Sequence, residues 1–277
     1  MSTVIVVTNF STSSRNALDY TCAFLNNPET KVLLVSIFSF PGSYSNDGVS
    51  MAAVSETIVN DERRLREEYE WVRSTYPLIK IETEITTGTF LEALEEKVEE
   101  ENASLIVMGA SGDYTDLLSW DTNIINAFID FHVPVLVIPS HVHFKKINNI
   151  AFAINYYRKN METPVSMIKR LIHFTKAALH VIHVAAPDEP VDETAEANKR
   201  LLKEKLQDVS PSYYEPEYVN VIAAIDSFIR DSSIDILIVL PHRKGIWHNI
   251  FHESHTKGLI NLNQIPVLAL HRERAFI

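Results

Sequence analysis

Two short segments combine residue types that could do chemistry. Gly109-Ala-Ser-Gly112 follows a buried β-branched run and lies upstream of Thr122-Asn123, a predicted helix start. Glycines at a strand-to-helix turn, with a hydroxyl at the helix N-terminus, can aim backbone N–H groups at a phosphate. Such a turn is a weak signal by itself, because a tight turn asks for glycine on conformational grounds alone. Thr8-Asn9-Phe10-Ser11 stands at the end of another strand-like run, with hydroxyl and amide groups side by side. A third set, His248, His252 and His255, is spaced i, i+4 and i+7. On a helix these imidazoles would share one face and could hold zinc. The competing reading, a polar surface face beside Glu253 with Gly245 breaking the register, is the one expected.

Other reactive groups read as structural. Cys22 lies among apolar residues and is expected to be a packed core thiol. A single cysteine excludes an intrachain disulfide and a cysteine-rich zinc site. His183 sits inside a strand pattern and is expected to be a hydrogen-bonded structural histidine. The run Glu95-Glu96-Lys97-Val98-Glu99-Glu100-Glu101 reads as a solvated helix face. Neither Gly-x-x-x-x-Gly-Lys-Ser/Thr nor Gly-x-Ser-x-Gly occurs, which removes the P-loop and serine-hydrolase readings. Strand one is not followed by Ser-Gly-Gly-x-Asp-Ser, and His-x-Gly-His is absent, which argues against ATP-pyrophosphatases and nucleotidyl transferases. No nucleophile, base and orienting group form a recognisable set.

These segments need strands and helices to position them, and the chain alternates the two. Strand patterns run over Val4–Thr8, Lys31–Phe40, Leu78–Thr86, Leu105–Met108 and Val133–Ile138. Between them lie a helix capped near Ser11, a long polar helix and a third helix marked by Phe90, Leu91, Leu94 and Val98. In the long helix Ile58, Leu65, Tyr69 and Val72 share the predicted inner face, and charges such as Asp61, Arg63 and Glu70 are assigned to the outside. A further helix is predicted over about 118 to 129. Alternating strand and helix predicts a parallel sheet with helices on both faces. Ligands in such sheets sit beyond the carboxyl ends of the strands, where the strand order reverses.

The pattern then begins again after a linker-like His141-Val-His-Phe-Lys-Lys146. Strand runs recur at Ile150–Ile154, Ala178–Val184, Ile236–Leu240 and Ile265–Leu270. Leu105-Ile-Val-Met-Gly109 is echoed by Leu237-Ile-Val-Leu-Pro241, and Val133-Pro-Val-Leu136 by Ile265-Pro-Val-Leu268, both 132 residues on (237 − 105). Asn9-Phe10 is echoed by Asn155-Tyr156. The chain therefore reads as a tandem duplication, with domains over 1–142 and 143–277. A chain of 277 residues has room for two such units.

At these residues the sequence resembles the universal stress protein family in its tandem form. Asn9-Phe-Ser11-x-x-Ser14-x-x-Ala17-Leu18 is similar to the family's Asp-Phe-Ser-x-x-Ser-x-x-Ala-Leu opening. Leu105-Ile-Val-Met-Gly-Ala-Ser-Gly112, Asp121-Thr-Asn123 and Val133-Pro-Val-Leu-Val137 resemble its later strand ends and loop. Leu179-His-Val-Ile-His-Val184 and Ile265-Pro-Val-Leu268 repeat the pattern in the second half. The resemblance implies two tandem flavodoxin-like (adenine nucleotide alpha hydrolase-like) α/β domains, each a five-stranded parallel sheet. In one branch of the family it also implies ATP binding. Carried over, the nucleotide site of repeat one comprises Thr8, Asn9, Ile37, Met108, Gly109, Gly112, Thr122 and Asn123.

The departures from the family pattern are informative. Asn9 and Asn155 replace an expected Asp, keeping hydrogen bonding but not charge. Asp121 stands in place of the loop's third glycine. A carboxylate roughly 5 Å from a polyphosphate costs about 3 kcal/mol at an effective dielectric near 20, so ATP or AMP is expected to bind weakly in repeat one. Repeat two reads Pro241-His-Arg-Lys244 and Glu253-Ser254, has lost both loop glycines, and is expected to be degenerate.

The expected function is a non-catalytic stress-response module with weak adenine-nucleotide binding. The alternatives are a purely structural or interaction protein and, least favoured, a slow nucleotide hydrolase. Apolar last strands in both repeats would leave open sheet edges. The resemblance therefore leads us to expect an intramolecular pseudo-dimer of the repeats, with a homodimer as a further assembly. A net charge of −11 argues against nucleic-acid and anionic-membrane partners. The absence of a leader pattern or a long apolar run leads to an expected cytoplasmic location.

Overall fold

A computed structural model describes residues 2–39, 51–110, 123–124, 126–127, 131–156, 164–183, 193–215, 221–241 and 264–271. The chain divides into two compact units, 1–144 and 145–277.

In the first unit the strands are β1 (Ser2–Thr8), β2 (Thr30–Phe38), β3 (Lys80–Thr87), β4 (Leu105–Ala110) and β5 (Val135–Pro139). They pair in parallel in the order β3-β2-β1-β4-β5. Val4 to Thr8 are buried without a break. Successive strand side chains point to opposite faces, so an unbroken buried run means that both faces of β1 are covered. The order reverses between β1 and β4, which opens a crevice at their carboxyl ends.

Among the described residues, three helices, each described over its full length, flank this sheet. α1 (Thr12–Phe24) begins where the Ser11 hydroxyl accepts the Ser14 N–H at 3.2 Å, satisfying one of the free donors of a helix start. It packs on β1, β4 and β5. Asn16 Nδ2 fixes it there by donating to the carbonyls of Pro139 at 3.0 Å and Val142 at 2.9 Å. α2 (Met51–Thr75) packs on β2 and β3, and α3 (Phe90–Glu100) on β2. On α3 the acidic run is exposed at Glu95, Glu96 and Glu99. Lys97 is instead buried, with Nζ held by Glu84 at 2.6 Å and Glu100 at 2.5 Å.

The second unit repeats the order. Its strands are β6 (Asn149–Ile154), β7 (Ala178–His183), β8 (Ser212–Tyr214), β9 (Ile236–Val239) and β10 (Val267–Ala269), arranged β8-β7-β6-β9-β10 and all parallel. Its helices are α4 (Val165–Thr175), α5 (Glu193–Leu206) and α6 (Val221–Asp231). β8 was invisible to sequence patterning because Ser-Tyr-Tyr is three residues of no clear period. No described helix is long and apolar enough to cross a membrane.

Candidate functional site

The first strand end closes on itself through side chains. Thr8 is buried; its Oγ1 accepts the Phe10 N–H at 2.9 Å and donates to Ser14 Oγ at 3.2 Å. Asn9 is exposed, and its Oδ1 accepts the Ser11 N–H at 3.1 Å. This turn, an asparagine bonded to the backbone two residues on, commits the Asn9 carbonyl. Its Nδ2 is then the group left for a ligand, so the position offers donors where a carboxylate would offer only acceptors. Phe10 adopts φ 62°, a left-handed conformation that a bulky side chain rarely takes.

Above this turn lies a cleft of about 860 Å³, lined by the ends of β1 and β2, by α2, and by the β3–α3 turn. Thr8, Asn9, Ile37 and Asn123 from the sequence-derived set all line it. Its size and mixed lining suit a small molecule. Gly88, at the β3–α3 turn, takes φ 143°, which a side chain would strain.

The other sequence-derived residues are placed differently. Met108 is fully buried in the core. Gly109 lies under the start of α1, where an added Cβ would come within 2.2 Å of the Ser13 carbonyl oxygen and 2.7 Å of Ser14 N. The need for glycine here is therefore steric, set by the close approach of β4 and α1. Gly112, Asp121 and Thr122 lie outside the described residues, as do His248, His252 and His255. The helix predicted over about 118 to 129 is described only at 123–124 and 126–127.

Of the cleft residues outside the sequence-derived set, two stand on α2. Asp61, assigned from sequence to the outer face of the long helix, is half-buried and lines the cleft. The signal was present: Asp61 stands four residues before Leu65 and eleven before Val72, on the same helical face. Its carboxylate Oδ2 accepts from Ser36 Oγ at 3.4 Å. Burial raises the Asp61 carboxyl above its ordinary range, with the Ser36 hydroxyl and the Arg64 charge opposing. Arg64, one turn on, donates from Nη2 to the Phe10 carbonyl at 2.9 Å and lies over the Phe10 ring. Deeper on α2, Glu68 pairs with Arg15, and the Arg15 guanidinium stacks on Trp71 at 3.6 Å.

The matching strand end of the second unit is filled. Asn155 and Tyr156 are both buried. The Tyr156 ring stacks on His183 with centroids 4.6 Å apart, and Asn198 Nδ2 donates to the Tyr156 carbonyl at 2.8 Å. By strand register His183 occupies the place that Ser36 holds in the first unit. Its Nδ1 lies 3.2 Å from the Ile154 carbonyl, as befits a structural histidine. Cys22 is fully buried, and burial, with Asp19 nearby, pushes its thiol up to about 12, so it is no nucleophile at neutral pH. Among the described residues no group of histidine, cysteine, aspartate or glutamate could hold a metal ion.

Known proteins with this arrangement share its fold. No curated protein matches the sequence. Among solved structures, a universal stress protein from Archaeoglobus fulgidus DSM 4304 is 16% identical, with 98% of this chain and 96% of that one covered at a TM-score of 0.68. A functionally unknown protein from Pseudomonas aeruginosa PAO1 is 12% identical, with 98% and 92% covered at a TM-score of 0.54. The profile of the universal stress protein family matches residues 1–139, half of the chain. The parallel α/β architecture agrees with that match, and the chain belongs to the universal stress protein family.

Proposed function

We propose that this stress-response protein is a non-catalytic sensor that binds an adenine nucleoside or nucleotide weakly in its first unit and none in its second. The observation that carries the reading is the cleft at the carboxyl ends of β1 and β2, beside the point where the strand order reverses. Val7, Ile37 and Phe90 supply apolar wall, and Ser36, Asn9 and Asp61 supply polar groups. Those described residues fit the base and sugar of a nucleoside. They fit a polyphosphate poorly: the lining has two carboxylates, Asp61 and Glu92, against one guanidinium already engaged by Phe10. Asp121, the sequence's own obstacle to phosphate, points the same way. The stacking of buried Tyr156 on half-buried His183 supports an inert second unit.

Calorimetric titration of the full chain with adenosine, AMP, ADP, ATP and cyclic AMP tests the proposal. The expected result is a stoichiometry near one, affinity falling as phosphates are added, and a gain for ATP in Asp121→Gly that exceeds any gain for adenosine. Loss of binding in Asn9→Ala but not in Asn155→Ala places it in the first unit. Absence of binding to all five ligands overturns the reading in favour of a structural or interaction protein. Nucleotide turnover above a heat-killed control overturns its non-catalytic part.

A further inference from the structure

The cleft holds a hydrogen-bond acceptor that is only partly engaged by its neighbours. Asp61 projects from α2, is half-buried, makes a single long hydrogen bond, to Ser36, and has no ion pair among the described residues. Arg64 is close enough to act on its charge, but its Nη2 donates to the Phe10 carbonyl. A carboxylate with spare acceptor capacity, in a cleft that Ile37 also lines, is suited to a flat heterocycle presenting an N–H edge. It is unsuited to a phosphate, which it repels. Resting on the nucleoside reading above, we propose that Asp61 is the specificity-determining acceptor of this cleft and selects a base carrying an exocyclic amine over one that lacks it.

The group being recognised can be deleted from the ligand as well as from the protein. Adenosine and purine riboside differ only in the 6-amino group. Titrating both into the full-length protein and into Asp61→Ala and Asp61→Asn forms a double-mutant cycle in which one change is made on the ligand. A hydrogen bond to a charged acceptor predicts that native protein favours adenosine by about tenfold. In Asp61→Ala that ratio is expected to fall to near one, with purine riboside affinity unchanged, which also shows that the cleft is intact. Asp61→Asn, which preserves side-chain volume and one acceptor, is expected to lie between. A ratio that persists in both variants, or native protein that binds both nucleosides equally, overturns the inference while leaving the proposed function standing. Native protein that binds neither nucleoside overturns the inference, and the proposed function falls with it when the nucleotides fail to bind as well.

Discussion

The Arg64 guanidinium donates to the carbonyl oxygen of Phe10 at 2.9 Å and lies 4.4 Å from the centroid of the same residue's ring. One side chain on α2 thus holds both the backbone and the side chain of the residue that follows Asn9. The hold matters because Phe10 sits at φ 62°, where an L-residue is strained by about 1–2 kcal/mol. Arg64→Ala removes a hydrogen bond worth about 1 kcal/mol and a cation–π contact of about 0.5–1 kcal/mol. We expect a loss of about 1–2 kcal/mol in chemical denaturation and a severalfold weaker affinity for adenosine. Unchanged affinity in the variant would show that the loop keeps its shape unaided.

Gly109 tests the steric reading of the β4 end. A Cβ placed 2.2 Å from the Ser13 carbonyl oxygen cannot be relieved by rotating a side chain, because the clash is with backbone. Gly109→Ala is therefore expected to cost about 3 kcal/mol, at the upper end of overpacking penalties. The measurement is the urea midpoint of the variant without ligand. A stability within about 0.5 kcal/mol of native would mean that β4 and α1 separate easily, and would return Gly109 to a purely ligand-binding role.

Much of this architecture was legible from sequence, and the reasons differ by element. β1 and β4 announce themselves because strands covered on both faces are continuous apolar runs, and Val4–Val7 and Leu105–Met108 are such runs. The ladders at Val133 and Ile265 begin two residues later than the apolar patterns do, at Val135 and Val267, on the far side of Pro134 and Pro266. Asp61 was misplaced because charge was given priority over helical phase, yet an aspartate in register with Leu65 and Val72 must face inward. Opposite burial at Asn9 and Asn155 could not be read from two nearly identical dipeptides. It depends on Tyr156 finding His183 across the sheet, whereas the first unit has Ser36 in that place.

His180 in the second unit is expected to make stability sensitive to acid. Its ring packs near Tyr214 and Phe228, Nε2 lies 3.2 Å from Asn149 Oδ1, and Nδ1 is buried without a hydrogen-bond partner among the described residues. Burial lowers its pKa below the ordinary 6.5, so folding favours the neutral ring. That contribution is fully present above the unfolded value and is lost as pH falls through about 6.5 towards the lower folded value. Denaturation midpoints at pH 7.5 and pH 5.5 should therefore fall less for His180→Leu than for the native chain. Equal acid losses in the two proteins would show that other groups carry the effect.

Asp61 makes the opposite kind of contribution, and a single substitution separates its stability from its use. Burial raises the Asp61 carboxyl above its unfolded value, and the Ser36 hydroxyl and Arg64 charge only partly oppose the rise. A raised acid binds its proton more tightly in the folded chain than in the unfolded one. Folding is then penalised wherever the carboxyl is ionised in the folded state. The penalty is fully developed above the folded pKa and disappears below the unfolded one. Asparagine carries no charge at any pH and keeps nearly the same volume. Asp61→Asn should therefore melt about 1–3 °C higher than the native chain at pH 7, a shift typical of a sub-kilocalorie gain in a unit of this size. The difference should shrink as pH falls towards about 4 and be gone below it, where the native carboxyl is protonated in both states. A group that destabilises the free protein and lines the cleft proposed to bind nucleoside fits the trade of stability for recognition. Scanning calorimetry of both proteins across that range checks it. A variant less stable than native at pH 7 would mean that the Ser36 bond and the Arg64 charge outweigh burial.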